Sequence, residues 1–528
     1  GVMKKSSRRT LNGTLNLSYY YKTLKFTNSL MLGFNKSEES PYGSFNDYVK
    51  MNPYYRIYDD SGKLIKSYIR QHQNPLYNAL LNTYDRSEYT DVVNNFSIEW
   101  QIIPDLLLRG RIGIEQKHTE RNVFKPADHT DFADYSSADV FRKGSYRYIP
   151  GKEFSYDAGL NLSYSVTFKE RHMLYAGLDY NIRQNKITGY DILVEGFNNE
   201  DFDFLPMGLQ YASGVKPAGS ESLTRAIGMT ASVNYTYDNR YYIDLSGRTD
   251  GASQFGTSRR FAPFWSAGVR WNMDKENFIK SLGFVDEFVL RGTYGITGSQ
   301  GFSPYQSLQM YSYDGMMKLY HSSDVAGSVL MSMGNPDLKW QQTRNWNVGL
   351  DFNFFRGFVS GRVEYYKKFT KNTLLDFTLA PSIGFETIKD NLGDIDNKGY
   401  ELTLRIMPYN NLKKQMNFNI VLNGSHNDNR IARISNALKV RNAEAAEKVT
   451  SRPLPKYVEG YSQSIIWGVR SLGIDPTSGR EILLTRDGKR TFDWNALDQV
   501  PLGDTEPTLQ GTLSANFNWK GLSVSLIG

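Results

Sequence analysis

Histidine is the side chain in this chain best suited to metal or proton-transfer chemistry, and its spacing limits what it can do. His72, His118, His129, His172, His321 and His426 are scattered, with no pair at the short interval that sets two imidazoles on one helix face. His118 and His129 share one long segment with Asp128 and Asp131, a mixed nitrogen and oxygen set that reads as a solvated polar loop rather than a metal site. DGASQFG (250–256) and DNLGDIDN (390–397) lack the regular alternation of oxygen ligands that a calcium loop needs. They read as turns, where Gly and Asn supply positive φ. There is no H-E-x-x-H, no Walker loop and no G-x-S-x-G elbow, and no pair of carboxylates can be assigned to glycoside hydrolysis. Cysteine is absent, which removes disulfides, thiolate metal sites and cysteine nucleophiles together. The reading therefore assigns no catalytic, cofactor-binding or metal residue, and does not read the chain as an enzyme. What remains is aromatic: Tyr311 and Tyr313 in YSYDGMMKLY (311–320), and Trp467 in IIWGVRSLGIDPTSGREI (465–482). Such rings stack on sugars or peptide side chains, so these three are the substrate-contact candidates. Loop–loop packing or a ring girdle is the competing account.

The elements that would carry these residues are strands. In YDAGLNLSYSVTF (156–168), Tyr156, Ala158, Leu160, Leu162, Tyr164, Val166 and Phe168 alternate with Asp157, Gly159, Asn161, Ser163, Ser165 and Thr167. A strand turns successive side chains to opposite faces, so one face is apolar and the other hydrophilic. The same alternation places strands at 11–21, 24–34, 92–102, 106–116, 154–168, 172–184, 225–237 and 240–249. It continues at 262–272, 286–296, 342–355, 357–369, 398–408, 414–425, 459–471 and 510–519, and a further strand opens at 521. Short connections near 22–23, 103–105, 169–171, 238–239, 356 and 409–413 alternate with long ones at 35–91, 117–153, 185–224, 297–341, 370–397, 426–458 and 472–509. Short turns on one side and long loops on the other thread a transmembrane β-barrel. A soluble β-sandwich shows the same face alternation, but strand length and loop parity favour the barrel. Leu108, Ile112, Leu162, Leu402 and Leu404 are then expected to face lipid, and Arg109, Arg111, Glu401 and Arg405 a polar lumen. Aromatics gather at the short turns, as in Tyr19–Tyr21, Tyr235, Tyr237, Tyr241, Tyr242, Phe352, Phe354, Phe355, Phe358 and Trp519, where a headgroup-level girdle would sit.

Composition agrees. The chain has 528 residues, 14% aromatic, with 36 Tyr, 29 Phe and 45 Gly. No stretch approaches the ~20 apolar residues of a membrane helix, a test that barrels escape because only alternate residues meet lipid. A balance of 62 Lys+Arg against 55 Asp+Glu gives +7, spread along the chain as a solvated surface rather than a nucleic-acid footprint. The opening GVMKKSSRRT has no apolar segment behind its charges, so the secretory signal a barrel needs is expected upstream.

Six phrases carry a family resemblance. RTDGASQFG (248–256) followed by RRFAPFWSAGVRWNM (259–273) resembles the signature barrel segment of the SusC/RagA type of TonB-dependent outer-membrane transporters. LRGTYGITGSQG (290–301), NPDLKWQQTRNWNVGLD (335–351), EYYKKFTKNTLL (364–375), NLGDIDNKGYEL (391–402) and LGDTEP (502–507) continue in that family's order, with Gln341 where an acidic residue is commoner. The resemblance implies an all-β, large antiparallel barrel of about 22 strands closed by an N-terminal plug. Residues 1–528 would then be a partial barrel domain with about 16–17 of those strands, lacking the plug and the last strands. It further implies import of oligosaccharides or peptides, with TonB and a SusD-like surface lipoprotein as partners, in the outer membrane of a Gram-negative, Bacteroidetes-like cell. No cofactor is expected. A TonB-dependent siderophore or cobalamin receptor, and a passive porin or adhesin barrel, are the rival readings.

Overall fold

Lipid offers backbone amides no water to bond with, so a chain that crosses it as strands must pair every N–H and C=O with a neighbour. The computed structural model describes residues 3–68, 73–256, 260–299, 304–313, 328–378, 385, 387–411, 413–447 and 456–528, and there the ladder is what the chain builds. Its strands are β1 (Ser7–Tyr21), β2 (Leu24–Glu38), β3 (Tyr84–Ile103), β4 (Leu106–Lys125), β5 (Ser145–Phe168), β6 (His172–Glu195), β7 (Gln210–Tyr211) and β8 (Ala218–Tyr237). Next come β9 (Tyr241–Ala252), β10 (Phe261–Asn272), β11 (Val285–Ser299), β12 (Met310–Tyr313), β13 (Ser328–Ser332), β14 (Gln341–Phe354), β15 (Val359–Thr378) and β16 (Thr387–Asn411). The last are β17 (Met416–Ile434), β18 (Ile465–Gly468), β19 (Arg470–Ile474), β20 (Glu481–Leu484), β21 (Arg490–Thr491), β22 (Val500–Asp504), β23 (Leu509–Trp519) and β24 (Leu522–Ile527). Helices α1 (Phe45–Val49), α2 (Asn277–Lys280) and α3 (Asn436–Glu447) lie in the connections, and no described helix is long and apolar enough to cross a membrane. Seventeen strands, the two-residue β7 included, belong to one antiparallel sheet, in line with the expected number.

The chain divides into two compact units, Gly1–Asn161 with Tyr180–Ile227, and Leu162–Asp179 with Gly228–Gly528. In the first, β1, β2, β3 and β4 pair in series. The turns at their short end lie side by side, because the Gln101 N–H donates to the Thr23 carbonyl at 2.9 Å. In the second, β9, β10, β11, β14, β15, β16, β17, β23 and β24 pair in series. Its short turns also abut: Asp238 N–H to Arg171 C=O is 2.7 Å, Phe355 to Phe284 2.8 Å, Met407 to Phe358 2.7 Å and Lys520 to Gln415 2.9 Å. The turns are tight for a backbone reason. Lys169 and Glu170 have φ of 49° and 57°, and Asp238 and Asn239 have 53° and 51°. Two successive left-handed residues make the I′ turn whose twist matches the flanking strands. Each non-glycine there costs roughly 1–2 kcal/mol, which the pairing of the flanking strands offsets.

The faces separate as the alternation predicts. Leu108 lies opposite Trp100 and Ile112 opposite Phe96, while Arg109 lies opposite Glu99 and bonds it at 3.0 Å. Arg111 reaches Asp157 at 3.2 Å, across Gly159. In the second unit Leu290, Leu350, Val363 and Leu402 form a row across four strands. The apolar faces are uncovered: Leu160 is 51% exposed, Leu245 52% and Val269 60%. A sandwich would have buried them. The large buried apolar side chains, such as Phe124, Phe197, Phe255 and Leu338, lie instead toward the long connections.

Three expectations are corrected. First, many strands run well past ten residues: β5 and β6 have 24 each and β16 has 25. The added lengths lose the regular alternation, mixing ion pairs such as Arg121–Asp85 (2.5 Å) and Lys398–Asp428 (3.5 Å) with scattered apolar residues such as Tyr84 and Val194, so a period-two pattern does not register them. Second, 459–471 is no barrel strand. β17 pairs directly with β23, while Ile465–Gly468 pairs with Val500–Asp504 in a separate two-stranded sheet. A strand there would have put two long connections in succession, against the alternation that antiparallel pairing requires. Third, 390–397 is not a turn but part of β16, with irregular register at Asp394/Ile395.

Leu402→Arg should destabilise the full-length protein by about 2–4 kcal/mol in bilayers, since it puts a cation on the lipid face. Asn423→Arg, on the polar face, should cost about 0.5 kcal/mol or less by the same denaturant titration. In intact cells an impermeant thiol reagent should label Tyr58→Cys in the long 39–83 connection and spare Asn239→Cys at a short turn.

Candidate functional site

The polar face of β11, β14, β15 and β16 carries a charge network. Arg291 donates to Asp351 at 2.8 Å and also bonds Glu364, and Arg362 donates to Asp351 at 2.5 Å. Gly349 makes room for it, because a Cβ there would stand 3.0 Å from the Arg291 guanidinium. Glu401 lies directly opposite Glu364 in the ladder. Two residues further along, the Tyr366 hydroxyl reaches over Gly399 to donate to Asn427 Oδ1 at 3.1 Å. A Cβ on Gly399 would sit 2.5 Å from that hydroxyl, so β15 can touch β17 only because glycine stands between them. Here a cavity of about 650 Å³ opens, walled by Tyr366, Glu401, Ser425, Asn427 and residues of the 460–465 and 504–510 segments.

The aromatic candidates are placed apart. Tyr311 is 57% exposed on β12, opposite Leu330 of β13. Tyr313 pairs through its backbone with Ser328; its side chain and residues 314–320 lie outside the described residues. Trp467 is on β18, its ring edge-on to Tyr461 at 5.1 Å and under the Lys456 ammonium at 5.0 Å. Burial, with Arg486 nearby, holds Lys456 below the ordinary lysine range. His118 contacts Gln116, whereas the buried His129 accepts from the Asp131 N–H at 3.1 Å. His129, followed by Lys125, keeps the Asp131 carboxyl well below the usual range. Among the described residues no three His, Asp or Glu side chains converge to hold a metal.

The sequence phrases do converge. Phe255 of the first stacks on Trp340 of the NPDLKW segment at 4.3 Å, and Phe264 of the FAPFW stretch meets the same ring edge-on at 5.6 Å. Leu338, Ala252 and Ala262 complete the cluster, with Ile296 against it. Trp340 Nε1 donates to the Arg260 carbonyl at 3.3 Å. A Cβ on Gly256 would lie 1.9 Å from the Pro336 carbonyl oxygen, so that glycine seats the Asn-Pro turn. Asn391, from the NLGDIDN phrase, accepts from Lys339 N–H at 3.0 Å and donates to Asn372 C=O at 2.7 Å. These residues brace the long-loop end of the sheet. Sequence reasoning saw each phrase but not that three of them share one core.

In the first unit Phe124, Tyr84, Tyr146, Val194 and Phe197 form a comparable cluster. Beneath it the buried Glu195 is held by Arg142 at 2.9 Å and Gln210 at 2.8 Å. Burial pushes its carboxyl up, but Arg142 and Gln210 outweigh this and the net shift is downward. A cavity of about 590 Å³ lies near His129, Tyr42 and Tyr84.

Strand length, uncovered apolar faces and a charged opposite face define an outer-membrane type of β-barrel. The profile of the family described as TonB dependent receptor-like, beta-barrel, matches residues 7–442, and the chain belongs to that family. TonB-dependent receptor P39 of Formosa agariphila is 24% identical over 82% of this chain and 40% of its own length. TonB-dependent receptor SusC of Bacteroides thetaiotaomicron is 26% identical over 69% of this chain and 35% of its own. The RagAB peptide transporter superposes with a TM-score of 0.83 at 22% identity, covering 99% of this chain and 57% of that one. The SusC/RagA resemblance read from the six phrases is thereby borne out. The chain spans well under half the length of these curated relatives.

Trp340→Ala should cost about 3–5 kcal/mol by removing the shared ring of the cluster, and Trp340→Phe clearly less, by thermal unfolding of the full-length protein. Glu195 has a lowered carboxyl pKa, so its contribution is complete above the ordinary value of 4.5 and is lost as pH falls through the lower folded value. Hydrogen exchange at 195–211 should therefore accelerate below that window, and Glu195→Gln should flatten this pH dependence.

Proposed function

We propose that the full-length protein imports an oligosaccharide or a peptide across the outer membrane, powered by TonB and assisted by a SusD-like surface lipoprotein. One observation carries this reading: a SusC/RagA-type barrel bears a ligand-sized polar cavity on its charged face, toward the long-loop end. Residues 1–528 act in it as the barrel wall, in lipid, in the outer membrane of a Bacteroidetes-like cell, where the relatives' organisms point. The described part presents no catalytic constellation, and the reading is of a transporter without enzymatic activity. Tyr311, Tyr313 and Trp467 stay in it as outer contacts for cargo or partner, not as one site.

Energy must come from outside this wall. A barrel of this strand number encloses a water-filled channel unless a plug fills it, and an open one would leak. Uptake should thus require TonB, a proton-motive force and the plug. Growth on the cognate substrate should stop when TonB is removed. Uptake that persists without TonB and rises linearly with concentration would make the barrel a porin.

A further inference from the structure

The cavity above the Arg291–Glu364 network carries more hydrogen-bonding capacity than it uses. Among the described residues the Asn427 side chain is engaged through its carbonyl oxygen alone, by Tyr366. Glu401, Ser425, Glu506 and Gln510 line the space, and among the described residues their side chains have no hydrogen bond or ion pair. Asp504 accepts from Ser464 Oγ at 2.6 Å and from the Glu506 N–H at 3.1 Å, and among the described residues it has no ion pair. Arg430, the one arginine among the described residues of the wall, pairs with Asp428 at 3.1 Å, which Lys398 also approaches at 3.5 Å.

Ionised carboxylates only accept, so they need a ligand rich in donors, while Asn427 and Gln510 keep amide hydrogens to give. A second anion would meet the carboxylates of Glu401, Asp504 and Glu506, which have no ion pair among the described residues, and would pay to be desolvated there. The apolar side chains of a peptide would find little beyond Ile465 and Pro507. Hydroxyl groups both donate and accept, and the rings of Tyr366 and Tyr461 add aromatic surface for C–H faces. The volume of about 650 Å³ is that of a small-ligand pocket. We propose that this cavity is a subsite for an uncharged, polyhydroxylated ligand, a neutral segment of an oligosaccharide, and that it discriminates against uronates and sulfated sugars. The proposal rests on the import reading and narrows its cargo.

The test is binding, without TonB, by full-length protein in nanodiscs to immobilised neutral glucans, galactans, mannans and xylans, to uronate and sulfated glycans, and to a peptide library. Neutral glycans should be retained over the other two. Asn427→Ala and Gln510→Ala should each weaken retention roughly tenfold, the effect of losing about one well-made hydrogen bond. Glu506→Lys, on an exposed segment, should fold normally and admit anionic glycans. Preference for peptides or anionic glycans, no retention of any neutral glycan, or wild-type binding by all three variants would each overturn the proposal. TonB-independent uptake would overturn the import reading alone, and TonB-dependent growth on peptides with no glycan binding would overturn this one alone.

Discussion

Everything in this molecule follows from the need to pair backbone amides where no water can reach them. The ladder satisfies that need between strands, so strands cannot stop, slip or leave the sheet inside the lipid without stranding a donor or an acceptor. Antiparallel pairing then forces connections to alternate between the two ends. It also explains why lysine, glutamate, aspartate and asparagine accept left-handed backbone at 169, 170, 238 and 239: the strain is local, while an unclosed hairpin would cost the register of both strands. Hydrophobicity has a different task from the one it has in a water-soluble fold. It coats the outside of the strands with Leu245, Val269 and their like, and gathers into packed clusters only beyond the lipid, around Trp340 and Phe124.

That division explains what could be read from residues alone. Leu108 against Arg109 and Leu402 against Glu401 gave the strand faces, because lipid and lumen impose opposite chemistry on neighbouring positions. At Asp394–Lys398 of β16 polar residues take both faces and the alternation fades although the pairing continues. The stretch looked like a turn for that reason. IIWG at 465–468 looked like a barrel strand because a small sheet inside a long connection uses the same residues. Only connection parity distinguishes the two.

The cavity was less legible than the fold. Tyr366 and Asn427 are 61 positions apart and meet because Gly399, on a third strand, has no side chain. No local pattern announces such a meeting; it appears once the register is known. The aromatic residues that stood out locally, Tyr311 and Trp467, sit in two separate small sheets, and Trp467 is occupied by Lys456 and Tyr461. Three of the six phrases that carry the family resemblance meet in the Trp340 cluster. The later three supply Tyr366, Glu401, Asp504 and Glu506 to the cavity wall, a role that only the register of the strands makes visible.

Strands such as β5 and β16, more than twice as long as the lipid requires, give one continuous ladder two solvents. Over about ten residues its hydrogen bonds are sealed in hydrocarbon, where breaking one has no substitute partner. Over the rest, water competes for them wherever the side-chain clusters leave the ladder uncovered. The same strand therefore stays paired at its foot by the backbone ladder alone, while its outer reach depends on the ring clusters and ion pairs packed against it, so side-chain changes there alter the shape of the mouth without opening the wall below.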